Sequence, residues 1–342
     1  MAKVIARADI EKAAQAQGLL LLGVASLECG DDYLRFREWL SQGRHGSMGY
    51  LERHPECRKD PRTLLPGARS AIVLGLPYSL GDSIVASPPK AAQYARFSDY
   101  HRLLKKKGEA IIKPFVGETD AARICVDTAP ILEKALAAKT SFGFIGKNTC
   151  YIHPKRGSFF LLAEILTSLE VPADEHVDLG GCGNCNRCQV ACPTGALDTD
   201  YSIDARKCLA YWTIENRGPI PEEFWPWLAL YYFGCDICQL VCPYNKNASK
   251  TSLQERKFPS LYEIATMSQK QYEKFFGGTP MTRAKREGLR RNALIAMTVT
   301  SDPLLSKAMT EARLDAPYPV RETLDQINGY LLLQKTKQTT LS

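Results

Sequence analysis

The stretch that decides the fold is CGNCNRCQVACP at residues 182–193, in which three cysteines at two-residue spacing precede a Cys-Pro pair. A second run, CDICQLVCP at residues 235–243, ends in the same way. Runs of this kind are typical of the cysteine ligands of 4Fe–4S clusters. Zinc and disulfides are the alternatives, but zinc sites use two separated Cys-x2-Cys pairs and disulfides belong to oxidising compartments. The sequence therefore favours two iron–sulfur clusters.

The order of the cysteines also predicts which of them share a cluster. In the bacterial ferredoxin pattern the last cysteine of each run ligates the other cluster. The second run lacks one cysteine, and Cys208, between the two runs, supplies the missing thiolate. The predicted first cluster set is Cys182, Cys185, Cys188 and Cys242, and the predicted second cluster set is Cys192, Cys208, Cys235 and Cys238.

Length and composition limit what else the protein can be. A chain of 342 residues is longer than a ferredoxin and, at about 150 residues per domain, should hold two or three domains. Its start, MAKVIARADIEKAAQAQ, lacks the apolar core of a signal peptide. No stretch approaches the roughly 18 apolar residues of a membrane span, and residues 159–166 come nearest. We expect a monomeric, cytoplasmic protein without a membrane partner.

The charge of the chain points to an anionic partner. The net charge is +7, and basic residues cluster in HRLLKKK at residues 101–107 and in RAKREGLRR at residues 283–291. A single basic run on a helix is usually a solvated face, but two such runs beside a redox centre favour nucleic acid.

Helix and strand patterns alternate through the first half of the chain, which indicates an α+β fold. Apolar runs predict strands at 19–24, 69–76, 123–126 and 159–167, and helical patterns are predicted at 8–18, 32–42, 100–113 and 130–139. Later helices are predicted at 268–276, 283–299, 303–312 and 319–333. The predicted domains are an α+β domain at 1–173, a ferredoxin-like domain at 174–250 and a helical, HEAT-like region at 251–342.

Short motifs outside the cysteine runs carry a family resemblance. They are Arg58-Lys59-Asp60-Pro61, Asp99-Tyr100-His101, Val126-Asp127-Thr128-Ala129-Pro130, Gly143-Phe144-Ile145-Gly146-Lys147-Asn148, Gly157-Ser158 and Tyr211-Trp212-Thr213-Ile214-Glu215. Each motif alone is weak evidence for a family. Their order along the chain, before and within the segment that carries the cluster cysteines, makes the combined match specific. In these motifs the chain resembles the epoxyqueuosine reductase family.

The resemblance implies a function and an architecture. It implies a nitroreductase-like domain that binds cobalamin without a lower protein ligand, two 4Fe–4S clusters that feed electrons to cobalt, and C-terminal helices that hold tRNA. The implied reaction is reduction of epoxyqueuosine to queuosine at the wobble position of the anticodon stem-loop. An external low-potential electron donor is the implied second partner.

Asp127 is the candidate general acid in this resemblance, provided that partial burial keeps its carboxyl group protonated. The alternative role is the N-cap of the helix that follows. His101 is a poor candidate for a cobalt ligand, because Leu104 stands where the Asp-x-His-x-x-Gly motif of histidine-ligated corrinoid proteins has glycine. We predict instead a hydrogen-bonded histidine at a helix start.

The remaining site residues are carried over by motif. Candidate cofactor contacts are Arg58, Asp99, Tyr100, His101, Lys147, Asn148, Tyr151, Ser158 and Leu162. Gly143, Gly146 and Gly157 suggest backbone that passes close to a planar ligand, and glycine in turns is the alternative. Candidate tRNA contacts are Thr213, Arg217, Arg283, Lys285, Arg286, Arg290, Arg291 and Asn292.

Two rival functions fit part of the pattern. A corrinoid-dependent reductive dehalogenase shares the corrinoid domain and both clusters, but it is normally exported. A non-catalytic corrinoid or electron carrier would have no need of Asp127 or of the basic C-terminal helices.

Overall fold

The computed structural model describes residues 4–81, 89–175, 177, 179–248 and 250–340. The chain divides into two compact units. Unit 1 comprises Met1–Ser83, Asp99–Ala205 and Ile237–Leu253, and unit 2 comprises Ile84–Ser98, Arg206–Asp236 and Gln254–Ser342. This division differs from the three predicted domains, because the segment between the cysteine runs groups with the C-terminal helices.

The strands lie close to the positions predicted from the apolar runs. They are β1 Leu20–Ala25, β2 Ser70–Pro77, β3 Lys90–Ala91, β4 Ala122–Cys125, β5 Phe144–Ile145, β6 Tyr151–Ile152, β7 Phe160–Thr167 and β8 Tyr231–Phe233. The four long predicted strands correspond to β1, β2, β4 and β7. The short strands β3, β5, β6 and β8 were not predicted, because two or three residues give no readable alternation.

The eight predicted helices correspond to α1, α2, α4, α5 and α11 to α14, with shifts of a few residues at most ends and an extension of α14 beyond residue 333. They are α1 Arg7–Ala16, α2 Gly30–Ser41, α3 Pro55–Lys59, α4 Tyr100–Ile112, α5 Glu133–Ala138, α6 Arg187–Ala191, α7 Leu209–Ile214, α8 Trp225–Leu228, α9 Ile237–Leu240, α10 Leu261–Thr266, α11 Gln269–Phe276, α12 Lys285–Val299, α13 Leu305–Arg313 and α14 Val320–Thr340. Short 3₁₀ helices lie at Gly49–Glu52, Pro61–Thr63, Gln93–Arg96, Ala205–Lys207, Glu222–Phe224, Pro243–Asn247 and Pro280–Ala284.

Unit 1 is built on a four-stranded antiparallel sheet in the order β1-β2-β7-β4. Side chains alternate between the two faces of a strand, so Leu162, Glu164 and Leu166 of β7 share one face. The core on that face contains Leu166 of β7 together with Leu136 and Ala137 of α5. A carboxylate on β7 is therefore placed among apolar side chains.

The two Cys-Pro turns follow a pair of short helices in unit 1. Helix α6 ends just before Cys192, α9 ends shortly before Cys242, and the two helices pack against each other. This pairing brings the two cysteine runs together, as a ferredoxin-like segment requires.

Unit 2 is organised around α12, which packs against α7, α8, β8, α10, α13 and α14. Its residues from Gly288 to Thr298 are all buried. Arg291 is 0% exposed, and its guanidinium group donates to the carbonyl oxygens of Trp212 at 2.8 Å, Asn216 at 2.9 Å and Gly218. Burial is the main reason that the pKa of Arg291 falls to about 9, and the charge of Arg217 lowers it further. These carbonyl groups replace the water that the charge has lost.

No helix within the described part of the chain is both long and apolar enough to cross a bilayer.

We expect Arg291→Ala to lower the free energy of unfolding by about 3 kcal/mol, because buried backbone carbonyl groups lose their donor. Chemical denaturation followed by circular dichroism measures the change. The control is Arg283→Ala, which removes an exposed ion pair with Glu215 and should cost less than about 1 kcal/mol. Equal losses in the two variants would show that the Arg291 hydrogen bonds do not stabilise unit 2.

Candidate active site and cluster sites

Three side chains form a hydrogen-bonded chain at the start of α4. Asp99 is the N-cap of this helix and accepts from the His101 backbone N–H at 3.0 Å. The same carboxylate oxygen lies 2.7 Å from His101 Nδ1, and His101 Nε2 lies 3.1 Å from an oxygen of Asp127. The Tyr100 ring stacks on the imidazole with 4.2 Å between centroids. The imidazole is therefore fixed by a cap residue, a ring and a second carboxylate.

The pKa of His101 follows from opposing influences. Burial is the largest and lowers the pKa, but hydrogen bonds to Asp127 and then to Asp99 outweigh it, so the net shift is upward. Both ring nitrogens face carboxylate oxygens. The prediction of a hydrogen-bonded histidine at a helix start is confirmed, and the imidazolium form persists to higher pH than in a free histidine.

Asp127 follows β4 and has a left-handed backbone conformation with φ of 48°. Its alternative role as a helix cap is wrong, because α5 begins only at Glu133 and its N-cap is Leu132. The expectation of partial burial is not met either, since the side chain is 59% exposed. The interaction that the structure gives this carboxylate is the hydrogen bond to His101 rather than burial.

Two further carboxyl groups of unit 1, those of Glu133 and Glu164, were not predicted from the sequence. Glu133 begins α5, and Glu164 lies in the middle of β7 with 0% exposure. Glu164 is the single charged residue in the apolar run FFLLAEILT, and that isolation was a signal that could have identified it. Glu133 carried no comparable signal, because a glutamate in the first turn of a helix is common.

Among the cofactor contacts implied by the family motifs, Arg58 has the surroundings that best fit a bound corrinoid. It is 7% exposed, its guanidinium carbon lies 5.7 Å from the centroid of the Phe36 ring, and burial lowers its pKa. Among the described residues, its Nη1 atom has no hydrogen-bond partner. A buried donor without a partner is what an amide or phosphate oxygen of a corrinoid would satisfy.

Three other candidate cofactor contacts have side chains that bond to the segment carrying the cluster cysteines. Lys147 pairs with Asp200 at 3.0 Å, Asn148 donates to the Cys238 carbonyl at 3.3 Å, and Ser158 donates to Gln239 at 2.9 Å. Their polar groups hold parts of the protein in place, and their role as corrin contacts stays a prediction.

Tyr151, Leu162 and the three glycines belong to the packing of unit 1. Tyr151 is buried, and Leu162 packs against the core that contains it. A Cβ atom at Gly143 would lie 2.3 Å from Tyr151, one at Gly146 2.4 Å from Ile152, and one at Gly157 2.1 Å from Asn245. The glycines therefore admit side chains of the protein itself, and a close approach of their backbone to a planar ligand stays a prediction.

One cavity of unit 1 gathers the first cluster set. It is lined by Cys182, Cys185, Cys188, Cys242, Lys147, Asn148, Ile152, Arg187, Pro243 and Tyr244. The Lys147 backbone N–H donates to the Cys182 sulfur at 3.4 Å. Four cysteines around one cavity, with a backbone donor to a sulfur, fit a 4Fe–4S cluster.

The second cluster set is divided between the units. Cys192 and Cys238 belong to unit 1, and Cys208 and Cys235 belong to unit 2. The grouping of these four cysteines stays a prediction. None of the twelve cysteines, all of which the structure describes, forms a disulfide.

The predicted tRNA contacts need correction. Thr213, Arg290, Arg291 and Asn292 are each 0% exposed, so a phosphate cannot reach them. Arg290 donates to Asp315 at 2.7 Å and to the Ala265 carbonyl at 2.9 Å. The basic run at residues 283–291 was wrongly predicted to contact phosphates as a whole. Helix α12 lies at the centre of unit 2, and its buried arginines are hydrogen-bonded to other parts of that unit.

The other members of that set lie nearer the surface. Arg286 is mostly buried beside Asp315, whereas Arg217, Arg283 and Lys285 are exposed. Arg283 pairs with Glu215 at 2.9 Å, and Arg217 donates to the Arg283 carbonyl at 2.7 Å. These three residues are the exposed cations of the predicted set.

Comparisons with known proteins agree with this arrangement. Residues 181–245 match the family model of the 4Fe–4S double cluster binding domain, and residues 58–128 match that of epoxyqueuosine reductase QueG, DUF1730. A curated epoxyqueuosine reductase of Pseudomonas aeruginosa is 36% identical over 294 residues, which cover 82% of this chain and 81% of the relative. The chain belongs to the epoxyqueuosine reductase family.

Solved structures of the family have the same fold. The structure of epoxyqueuosine reductase from Streptococcus thermophilus matches with a TM-score of 0.84 and 28% identity, covering 94% of this chain and 89% of that one. A crystal structure of epoxyqueuosine reductase with an epoxyqueuosine-modified tRNA-Tyr stem loop matches with a TM-score of 0.80 and 26% identity, covering 93% and 88%. The predicted family and α+β fold with a double-cluster segment and a helical C-terminal part are confirmed.

We expect Cys242→Ser to lower the iron content of anaerobically purified protein by up to about half, because one of two clusters loses a ligand. Iron analysis and electron paramagnetic resonance of the reduced protein measure the loss. Cys57→Ser is the control, since this buried thiol lies outside both cluster sets. An unchanged iron content in Cys242→Ser would remove this residue from the ligands.

Proposed function

We propose that this protein reduces epoxyqueuosine to queuosine in tRNA, with cobalamin and two 4Fe–4S clusters as cofactors. Family membership supports the reaction, and the relative bound to a modified tRNA stem loop supports the substrate. The observation that carries the proposal is within unit 1. In this unit the exposed carboxyl group of Asp127 is hydrogen-bonded to His101, a histidine that can be protonated. The same compact unit contains the cavity lined by four cysteines.

The reaction sets clear demands on the protein. Conversion of an epoxide to an alkene consumes two electrons and two protons and releases the oxygen as water. Cobalamin, when bound, supplies a strongly reducing cobalt centre, which is chemistry that no side chain offers. The clusters pass electrons from an external low-potential donor, and the protein must orient the substrate and provide both protons.

Asp127 is the proposed acid. Its exposed carboxyl group can reach a substrate atom, and the raised pKa of His101 beside it lets the imidazole keep a proton to higher pH than a free histidine does. Asp99 anchors the other side of the imidazole and thereby keeps Nε2 directed at Asp127. The unpaired guanidinium N–H of Arg58 is the proposed donor to the corrinoid, and Tyr100 stiffens the imidazole by stacking.

The proposed tRNA contacts are now fewer than the sequence suggested. Arg217, Arg283 and Lys285 of unit 2 supply exposed positive charge, so affinity for the stem loop should fall as salt rises. The modified base would be read as an unstacked nucleotide, as is usual in RNA recognition. We propose that the protein is a monomer. We also propose that it acts in the cytoplasm, where its tRNA substrate and a reducing environment are found.

The decisive assay uses anaerobically purified protein with both clusters, cobalamin, a low-potential reductant and tRNA that contains epoxyqueuosine. We expect queuosine to appear in the digested tRNA by nucleoside mass spectrometry, and omission of cobalamin should abolish it. A complete system that forms no queuosine would refute the proposed function.

Asp127→Asn tests the acid. The amide keeps the shape and polarity of the side chain but has no acidic proton, so kcat should fall by about 100-fold or more. Cobalamin binding, measured by its absorption spectrum during titration, should not change. Full turnover by this variant would exclude Asp127 as the acid, and a loss of cobalamin binding would assign it to the cofactor instead.

A further inference from the structure

An open groove of unit 1 adjoins the first cluster set and has no role in the reaction as proposed so far. It is formed by α6, by the end of α9 and by the 3₁₀ helix Pro243–Asn247, which begins at the second Cys-Pro turn. Its volume is about 580 Å³. The groove therefore lies on the pair of helices that bring the two cysteine runs together.

One wall of the groove is shared with the cavity of the first cluster set. Arg187, Cys242 and Pro243 line both. Cys242 is partly exposed and is a predicted ligand of the first cluster. A partner seated in the groove would therefore contact a ligand of that cluster. Because electron transfer slows steeply as the distance between redox centres grows, this is a favourable place for electrons to enter the protein.

The groove has an apolar centre. Val190 of α6 is 77% exposed, and the partly buried Leu240 and Val241 line the groove with it. A single exposed valine is ordinary on a protein surface. This one lies in a groove that contains a cluster ligand, and an apolar centre with a polar rim is the usual composition of a protein–protein interface.

The charged rim of the groove is positive. Arg187 and Lys246 are exposed, and among the described residues that line the groove there is no acid. Asp200 is bonded to Gln189 of α6 at 3.0 Å, but its carboxylate is also paired with Lys147 at 3.0 Å. The groove therefore favours a partner that presents carboxylates around an apolar patch.

We propose that this groove is the docking site of the external electron donor, and that the donor is a small acidic protein with a low-potential one-electron group. The inference deepens the proposed function and rests on it for the need of a donor. Each encounter oxidises the carrier by one electron and reduces the cluster of the first set by one electron, without proton transfer. Two encounters supply the two electrons that one epoxide consumes.

The size and charge of the groove suit a transient partner. A carrier must leave after each electron, and electron-transfer complexes are accordingly small, with less than about 1,200 Å² of buried surface. Opposite charges steer such partners together, so the association rate falls as salt screens them.

Two other occupants fit the groove less well. A second copy of this chain has a net charge of +7 and would meet the positive rim with like charge. Unpaired RNA is usually bound by aromatic side chains on which its bases stack, and none lines the described groove. An acidic carrier protein matches both the apolar centre and the cations.

Charge reversal at the rim tests the docking site by rapid kinetics. The probe is reduced flavodoxin, an acidic protein that carries FMN, mixed anaerobically with oxidised protein that holds both clusters. Bleaching of the cluster absorption gives the second-order rate constant. Lys246→Glu should lower it by about 10-fold at low ionic strength, and the difference should shrink as salt rises. Lys246→Arg keeps the charge and should keep the wild-type rate.

Lys12→Glu is the matched control, because Lys12 is an exposed cation of α1 outside the groove. It should be reduced as fast as wild type. Dithionite, a small reductant that needs no docking site, should reduce the clusters of Lys246→Glu and Val190→Asp at the wild-type rate, and the iron content of both variants should be unchanged.

A binding measurement tests the groove without any electron transfer. Isotope-labelled oxidised flavodoxin is titrated with the cluster-loaded protein in the absence of cobalamin and tRNA, and its NMR shifts give the Kd. Val190→Asp and Lys246→Glu should each raise the Kd by about 10-fold, because one removes the apolar centre and the other adds like charge.

Several outcomes would overturn the inference. They are an absence of NMR shifts with the wild type, wild-type reduction by flavodoxin in both variants, or an equal loss of rate with dithionite. Weaker tRNA binding, or loss of self-association in sedimentation, with unchanged reduction by flavodoxin would assign the groove to RNA or to a second copy instead. A wild type that forms no queuosine with dithionite would refute the proposed function, whereas the flavodoxin measurements, which use no tRNA, would stand.

Discussion

Burial of ionisable groups is the constraint on which the structure depends. In unit 2 a guanidinium group is enclosed and stabilised by backbone carbonyls, so the helix that carries it can only fold together with the segment that supplies them. In unit 1 both carboxyl oxygens of Glu164 and Oε1 of Glu133 are inaccessible to solvent and have no hydrogen-bond partner within the described residues. Burial is the main cause that raises the pKa of both groups, so the same physical cost is met by hydrogen bonds in one unit and by a shift toward the neutral form in the other.

The strands and the cluster cysteines were predictable because their signals are local. Long apolar runs such as β2 and β7 admit few other structures, and cluster geometry imposes the spacing of the cysteines directly. The role of α12 was not predictable. A run of arginines looks the same on a solvated face as in a core, and only the tertiary partners of Arg290 and Arg291 distinguish the two cases.

The candidate active site was foreseen in part. The motifs identified Asp127 and His101, whose hydrogen bond the structure shows, and the argument from Leu104 against a cobalt ligand stays a prediction. Sequence could not reveal that Asp127 is exposed and hydrogen-bonded to His101, since a strand end and a helix start meet only in the fold. Glu133 was not predicted either, because a glutamate in the first turn of a helix is common and gives no signal of its surroundings in the fold.

The contact between Lys147 and the first cluster set has a consequence for redox tuning. The donor to the Cys182 sulfur is the backbone N–H of residue 147, and its side chain is engaged elsewhere with Asp200. Hydrogen bonds to cluster sulfurs stabilise the more negative, reduced state and so raise the reduction potential. Because a main-chain group makes this bond, the potential is set by the conformation of the loop. Replacement of the lysine side chain could therefore leave the driving force for electron transfer unchanged.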